Sequence, residues 1–302
     1  MRVISFGDLY IDYYLSNDLV LGICGGKTNA NVIANLAKYY DTAFYGVCGN
    51  DAQGDVAIKS LSCLGVDTSN IERVEGHTKA FFIDSKGYST TCPYCGRKLA
   101  YKNNKYDPKK ILPFIQEDDF IVIDNLNAGV LEVLNNTNNK AFLDIGYLGN
   151  LLYLSLDEII DILKDRFEII NMNGKVYDVL RNKFKLDLVD FYELINPNVL
   201  IITRGKKGAD IVHDGVVYEK IITDPVSEVD VSGAGDSFFS EFIRTIIDAE
   251  FSVNEKIISL AYMRASSISR FCITNYGART HLEPLTKIDN YIECICTDIT
   301  VK

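Results

Sequence analysis

The chain has 302 residues, 47% of them hydrophobic and 24% charged, with a net charge of −10 and a pI near 4.9. Such a chain can bury a substantial core. Its acidic balance speaks against a nucleic-acid-binding surface, which needs clustered Lys and Arg, but not against nucleotide binding through backbone N–H groups at helix starts. No apolar run approaches the roughly 18 residues of a membrane span, and the segment after Met1 turns polar too soon for a signal peptide. A cytoplasmic protein is therefore expected, with no membrane and no nucleic-acid partner. Its eight cysteines are expected mostly as thiols.

In chain order, residues 2–6 read as a buried strand and 27–40 as a helix, because Ala30, Ile33, Ala34, Ala37 and Tyr40 recur at helical spacing. A strand over 42–47 and a helix over 53–64 follow. Short apolar, β-branched runs at 120–124, 140–145, 167–171 and 199–203 read as strands. Helices are expected near 129–135, 156–164, 175–182 and 186–195. This alternation predicts an α/β fold: a doubly wound, mainly parallel sheet with helices on both faces. Two stretches break the pattern. Residues 9–22 and 80–101 are aromatic with Gly and Asn turns, which predicts hairpins of a small separate sheet, a lid.

The most informative segment is Asp230-Val231-Ser232-Gly233-Ala234-Gly235-Asp236, followed by a helical apolar run over 238–247. Gly233 and Gly235 let the backbone approach a ligand closely. The N–H groups and dipole of the helix start favour an anion. A carboxylate beside such an anion hole is useful as a base, although an Asp there also caps helices.

This loop resembles the D-T-x-G-A-G-D-x-F signature of the ribokinase-like (PfkB) carbohydrate kinases, with Val231 for Thr. Further landmarks stand in the family's order. Residues 7–12 (GDLYID) resemble G-[DE]-x-x-x-D. Residues 25–32 (GGKTNANV) resemble G-G-x-x-x-N-x-A with one extra residue, so that Asn29 and Asn31 compete for the Asn position. Residues 46–55 resemble G-x-x-G-x-D-x-x-G-[DE], and 203–209 resemble T-x-G-x-x-G-[AS].

The resemblance implies one domain over 1–302, with a lid formed by about 9–25 and 78–103, and a transfer of the γ-phosphoryl group of ATP to a hydroxyl of a sugar or sugar derivative. It makes Asp236 the base, and Gly233, Ala234 and Gly235 the anion hole. It places Asp12, Gly25, Gly26, Lys27 and Asn31 on the acceptor. It puts Asn173, Thr203, Gly205, Gly208, Asn275 and Gly277 on the nucleotide, and a monovalent cation such as K⁺ at Asp230 and Ser232. Mg²⁺ is implied with ATP, but the family's N-x-x-E reads Asn173-Gly174-Lys175-Val176, so the Glu that helps organise Mg²⁺ is a Val. A nucleoside kinase of the same fold and a non-catalytic sugar- or nucleotide-binding homologue are the competing readings.

Gly26-Lys27-Thr28 is not the end of a P-loop, because the first glycine would have to be residue 21, which is Leu21. Cys92-Pro93-Tyr94-Cys95 has the spacing of half a zinc knuckle. A structural zinc there could be completed by a second subunit, in a homodimer joined through the lid.

Overall fold

The computed structural model describes residues 1–302 apart from 17–18, 85–86, 93–105, 147–150, 152, 221–225, 290–299 and 302. Alternate residues of its strands feed two separate cores. Val3, Val122, Phe142 and Ile169 face one core, while Ile4, Ile121, Leu143 and Ile170 face the other. A strand apolar on both faces belongs in the middle of a sheet covered by helices on each side.

The main sheet has nine strands: β1 (Arg2–Asp8), β4 (Asp41–Gly49), β5 (Ile71–Val74), β8 (Asp119–Ile123), β9 (Ala141–Ile145), β10 (Ile169–Asn173), β11 (Val199–Thr203), β12 (Ala209–His213) and β13 (Val216–Lys220). Their order is β13-β12-β11-β10-β9-β8-β1-β4-β5. Every pair from β5 to β11 is parallel, and β11-β12-β13 closes the edge antiparallel.

The helices α1 (Thr28–Leu36), α2 (Ala52–Ser62), α7 (Ala234–Asp248) and α8 (Glu255–Cys272) contribute to the first core, and α3 (Ala128–Asn135), α4 (Leu156–Leu163), α5 (Gly174–Phe184) and α6 (Leu188–Ile195) to the second. The sequence places its caps where these helices begin. Asp51, Asn127, Asp187 and Asn254 each accept a backbone N–H of the first turn, and Ser155 with Glu158 forms a capping box.

A second sheet of order β3-β2-β6-β7 is formed by β2 (Tyr10–Ser16), β3 (Leu19–Gly26), β6 (Lys79–Asp84) and β7 (Gly87–Ser89). Ile11, Tyr13, Ala80 and Phe82 share the first core, while Tyr14, Cys24 and Ile83 form a small cluster of their own. The sheet grows directly out of β1 and returns directly into α1, so its residues flank the carboxyl ends of the main strands. No helix among the described residues is long and apolar enough to cross a membrane.

Candidate active site

The strand order reverses at β1, which has β4 on one side and β8 on the other. At such a reversal the loops leaving the strands diverge and open a crevice at their carboxyl ends. Gly7 and Asp8 at the end of β1, Asp124, Asn125 and Asn127 after β8, and Lys27 line a cavity of about 420 Å³ there, with Phe6, Leu143 and Ile145 in its apolar wall. Lys27 Nζ stands 3.1 Å from Asp124 and lies over the ring of Tyr10. Lys79, paired with Asp8, lies over the same ring. Lys27 turns the chain from β3 into α1 with φ at 82°, a left-handed conformation that costs about 1–3 kcal/mol and recurs at functional positions.

Asp236 sits in the first turn of α7, behind Gly233, whose φ is 75°. A Cβ on Gly233 would meet the backbone of Ala278 at 2.6 Å, so only glycine lets the two loops come this close. Ala234 and Gly235 open the helix, where N–H groups lack intrahelical acceptors. Asn31 Nδ2 donates to Asp236 Oδ2 at 2.5 Å. Asn29 is used differently: its Nδ2 donates to the carbonyl of Phe6 at 2.8 Å, tying α1 to β1. Of the two candidate asparagines, Asn31 is therefore the one that bonds to Asp236. Burial pushes the Asp236 carboxyl up to about 6; hydrogen bonds from Asn31 and Thr28 and the charge of Arg279 oppose the rise, and Asp124 adds to it.

Asp12 is 7% exposed, not a solvated strand end. Its carboxyl is pushed up to about 7, mainly by burial, against the pull of Arg279. Gly26 stands against it, and Gly25 stands against Ser60 and Arg279.

Arg279 had no sequence signal of its own. It is 1% exposed, and among the described residues no carboxylate lies within ion-pair distance of it. Its Nε donates to Asn31 Oδ1 at 2.7 Å, Nη1 to Ser60 Oγ at 2.8 Å and Nη2 to the Gly26 carbonyl at 3.0 Å. Also unforeseen is Asp144 on β9, fully buried and accepting from Asn171 Nδ2 at 3.0 Å, while Asn171 Oδ1 has no partner. Burial holds Asp144 well above the usual carboxylate range, and Asp236 adds to this.

Asp230 stitches two loops together. Its Oδ1 accepts from Ser232 N and its Oδ2 from Gly277 N, both at 2.9 Å. Ser232 Oγ lies 3.4 Å from Tyr88 Oη, so β7 reaches over the loop. On the far side, Asn173 and Thr203 are register neighbours at the ends of β10 and β11. Gly205 opens a short turn that Gly208 closes, and Lys206 in that turn pairs with Glu228 at 3.1 Å. Asn173 Oδ1 caps α5, and Asn275 Nδ2 lies near the Phe271 carbonyl. None of Asn173, Thr203, Gly205, Gly208, Asn275 and Gly277 lines the cavity described above.

Val176 is buried in the second core, and Asp178 is exposed beside Arg204. No carboxylate replaces the Glu there, so these residues do not fit a protein-organised Mg²⁺ at that position. Cys92 is buried within the first core and Cys95 lies outside the described residues. Among the described residues no group of three His, Cys, Asp or Glu side chains could hold a metal ion.

The fold is a doubly wound α/β architecture with its crevice where the strand order reverses. The pattern of the pfkB family carbohydrate kinases matches residues 20–284, and the chain belongs to that family. It is an ATP-dependent carbohydrate or nucleoside kinase. The chain is 25% identical over 239 residues to the ATP-dependent ribose-1-phosphate kinase of Halopiger xanaduensis, covering 73% of each chain. It shares the fold of the fructokinase from Vibrio cholerae O395, solved with fructose, ADP and calcium, at TM-score 0.74 and 17% identity over 92% of this chain and 94% of that one. It also shares that of the aminoimidazole riboside kinase from Salmonella enterica, solved with aminoimidazole riboside and an ATP analogue, at TM-score 0.72 and 19% identity over 94% and 97%.

Proposed function

We propose that the protein transfers the γ-phosphoryl group of ATP to a hydroxyl of a sugar derivative, with Asp236 as general base. The observation that carries this is the placement of Asp236 at the glycine-rich start of α7, hydrogen-bonded to Asn31 at 2.5 Å. Its carboxyl at about 6 is ionised at neutral pH yet basic enough to take a proton from an attacking hydroxyl. The N–H groups of Gly233, Ala234 and Gly235 then meet the charge developing on the transferred group. Asp12, with Gly25, Gly26 and Lys27, holds acceptor hydroxyls. Thr203, Gly205, Gly208, Asn173, Asn275 and Gly277 border the nucleotide.

The sheet β3-β2-β6-β7 acts as a lid, and the approach of Tyr88 to Ser232 supports closure over the reacting phosphate. Asp230 has no cationic partner among the described residues, which suits a K⁺ ion beside it. Such an ion would supply positive charge near the anion hole. Mg²⁺ would arrive with the triphosphate.

Beside Lys27, the cavity carries the ring faces of Tyr10 and Tyr106, although Asp12 and Asp236 do not line it. This supports a second reading, in which the acceptor is a nucleoside. Lys27 in that lining, paired with Asp124, supports a phosphorylated pentose as a further acceptor, the kind named for the ribose-1-phosphate kinase relative. Zinc on Cys92 and Cys95, with a dimer through the lid, would appear as stoichiometric zinc and a doubled mass in solution.

The deciding experiment is ADP release across hexoses, pentoses, pentose 1-phosphates and nucleosides, with wild type and Asp236→Asn side by side. One acceptor that stimulates release, with the stimulation lost in the variant, supports the proposal. Ligand binding without ADP release from any acceptor would replace it with a binding-protein reading.

A further inference from the structure

Asn31 stands between two groups of fixed hydrogen-bonding sense. An arginine guanidinium can only donate, and an ionised carboxylate can only accept. The amide must therefore turn its oxygen to Arg279 and its nitrogen to Asp236, as its bonds at 2.7 Å and 2.5 Å do. The other amide orientation would set N–H against N–H and oxygen against oxygen. Arg279 itself cannot swing away, because Ser60 Oγ and the Gly26 carbonyl hold its other two nitrogens.

We propose that Arg279 is a positioning residue for the phosphoryl transfer, one that fixes the Asn31 amide so that Nδ2 locks and stabilises the ionised Asp236 carboxylate. The inference rests on Asp236 being the base. It also explains why a charge is buried without an ion-pair partner. The guanidinium lies close enough to Asp236 and Asp12 to favour the ionised form of each, and its own pKa is lowered by burial. Because Arg279 follows Gly277 and Ala278, the loop that Asp230 clasps also sets the base. A shift of that loop on the nucleotide side is transmitted to Asp236 through one side chain.

The test compares Arg279→Met, Arg279→Lys, Asn31→Ala, the Arg279→Met/Asn31→Ala double variant and Ser60→Ala. Arg279→Met should lower kcat about 100-fold, the scale expected of a misplaced catalytic group, and raise the acid limb of kcat/KM by about one pH unit. Arg279→Lys keeps the charge and should hold that limb near the wild-type position. The double variant should be no worse than the poorer single one, because both cut the same relay. Ser60→Ala removes one of the two contacts that hold the guanidinium and should move the limb the same way as Arg279→Met, but by less.

If Arg279→Met does not fold, as a circular-dichroism melt would reveal, Asn31→Ala carries the same readouts. The Asp236 carboxyl carbon, assigned with Asp236→Asn and followed by NMR in aspartate-labelled protein, reports the same upward shift without turnover. A shifted carboxyl in a wild type that phosphorylates nothing would sink the kinase reading and leave the relay standing. An unmoved acid limb, an unmoved carboxyl titration or additive losses would overturn the relay.

Discussion

Gly26 and Asp12 occupy adjoining strands so closely that a Cβ on Gly26 would stand 2.3 Å from Asp12 Oδ2. Neither partner can give way easily, since Asp12 is buried and Gly26 O is held by Arg279. Gly26→Ala should therefore displace the Asp12 carboxylate rather than merely fill space. The expected result is a fall of about 100-fold in kcat/KM for the acceptor, with ADP affinity unchanged. Steady-state kinetics paired with an ADP titration checks this. An unaltered acceptor KM would mean that Asp12 does not touch the acceptor.

Asp236 must be ionised to accept a proton. With its carboxyl at about 6, kcat/KM should fall roughly tenfold per pH unit below that value and level off above it. Asp236→Asn should lower kcat by about 10²–10⁴ while leaving nucleotide binding intact. A pH–rate profile of the wild type and single-turnover rates of the variant test both statements. A flat profile between pH 5 and 8 would move the base elsewhere.

Much of the fold was written locally. The strand expected over 199–203 is β11 to the residue, and the others differ by one or two positions, because each is a short β-branched run with polar ends. Of the elements not foreseen, the β12-β13 hairpin about Asp214-Gly215 has a clear strand pattern and was simply missed, while α8 and β5 give little contrast. The buried stripe of α8 contains Ala261 and Ala265, too small to stand out, and β5 (IERV) is largely polar. The expected helix over 27–40 stops at Leu36.

Among the motif residues, Asn31 meets Asp236 and Gly26 meets Asp12, approaches for which the glycine and carboxylate spacing supplied the residue types. Arg279 had no such signal. Its burial depends on Gly25 leaving room, Ser60 accepting and Asn31 needing a donor, and these lie in two segments far from residue 279 in the chain. The Cys92–Cys95 pair falls partly outside the described residues.

Asp230 joins the loop before α7 to the loop after α8 through Ser232 N and Gly277 N. Asp230→Ala leaves both donors without it and should cost about 1–3 kcal/mol. The two loops should then part, raising the nucleotide KM about tenfold and, if K⁺ sits beside Asp230, abolishing activation by K⁺. A thermal melt reads the first effect, and ADP release in potassium chloride against choline chloride reads the others. K⁺ activation preserved in the variant would remove Asp230 from the cation site.

Asp144 offers a test of the interior under the site. Its ordinary value is 3.8, and burial holds it well above that in the folded chain. Between those two values the folded state binds more protons than the unfolded one, so this carboxyl's contribution to stability falls as pH rises. The penalty is absent below 3.8 and grows by up to about 1.4 kcal/mol per pH unit until the folded value is reached.

Asp144→Asn keeps the oxygen that accepts from Asn171 Nδ2 and removes the titration. The variant should therefore gain stability over wild type between pH 5 and pH 8. His281, pushed down to about 4 by burial, has the opposite slope in both proteins and cancels in the difference. Denaturant unfolding of the pair at the two pH values measures the gain. A difference that does not change with pH would show that Asp144 stays ionised in the folded chain and that Asn171, whose Oδ1 lacks a partner, is not facing a protonated acid.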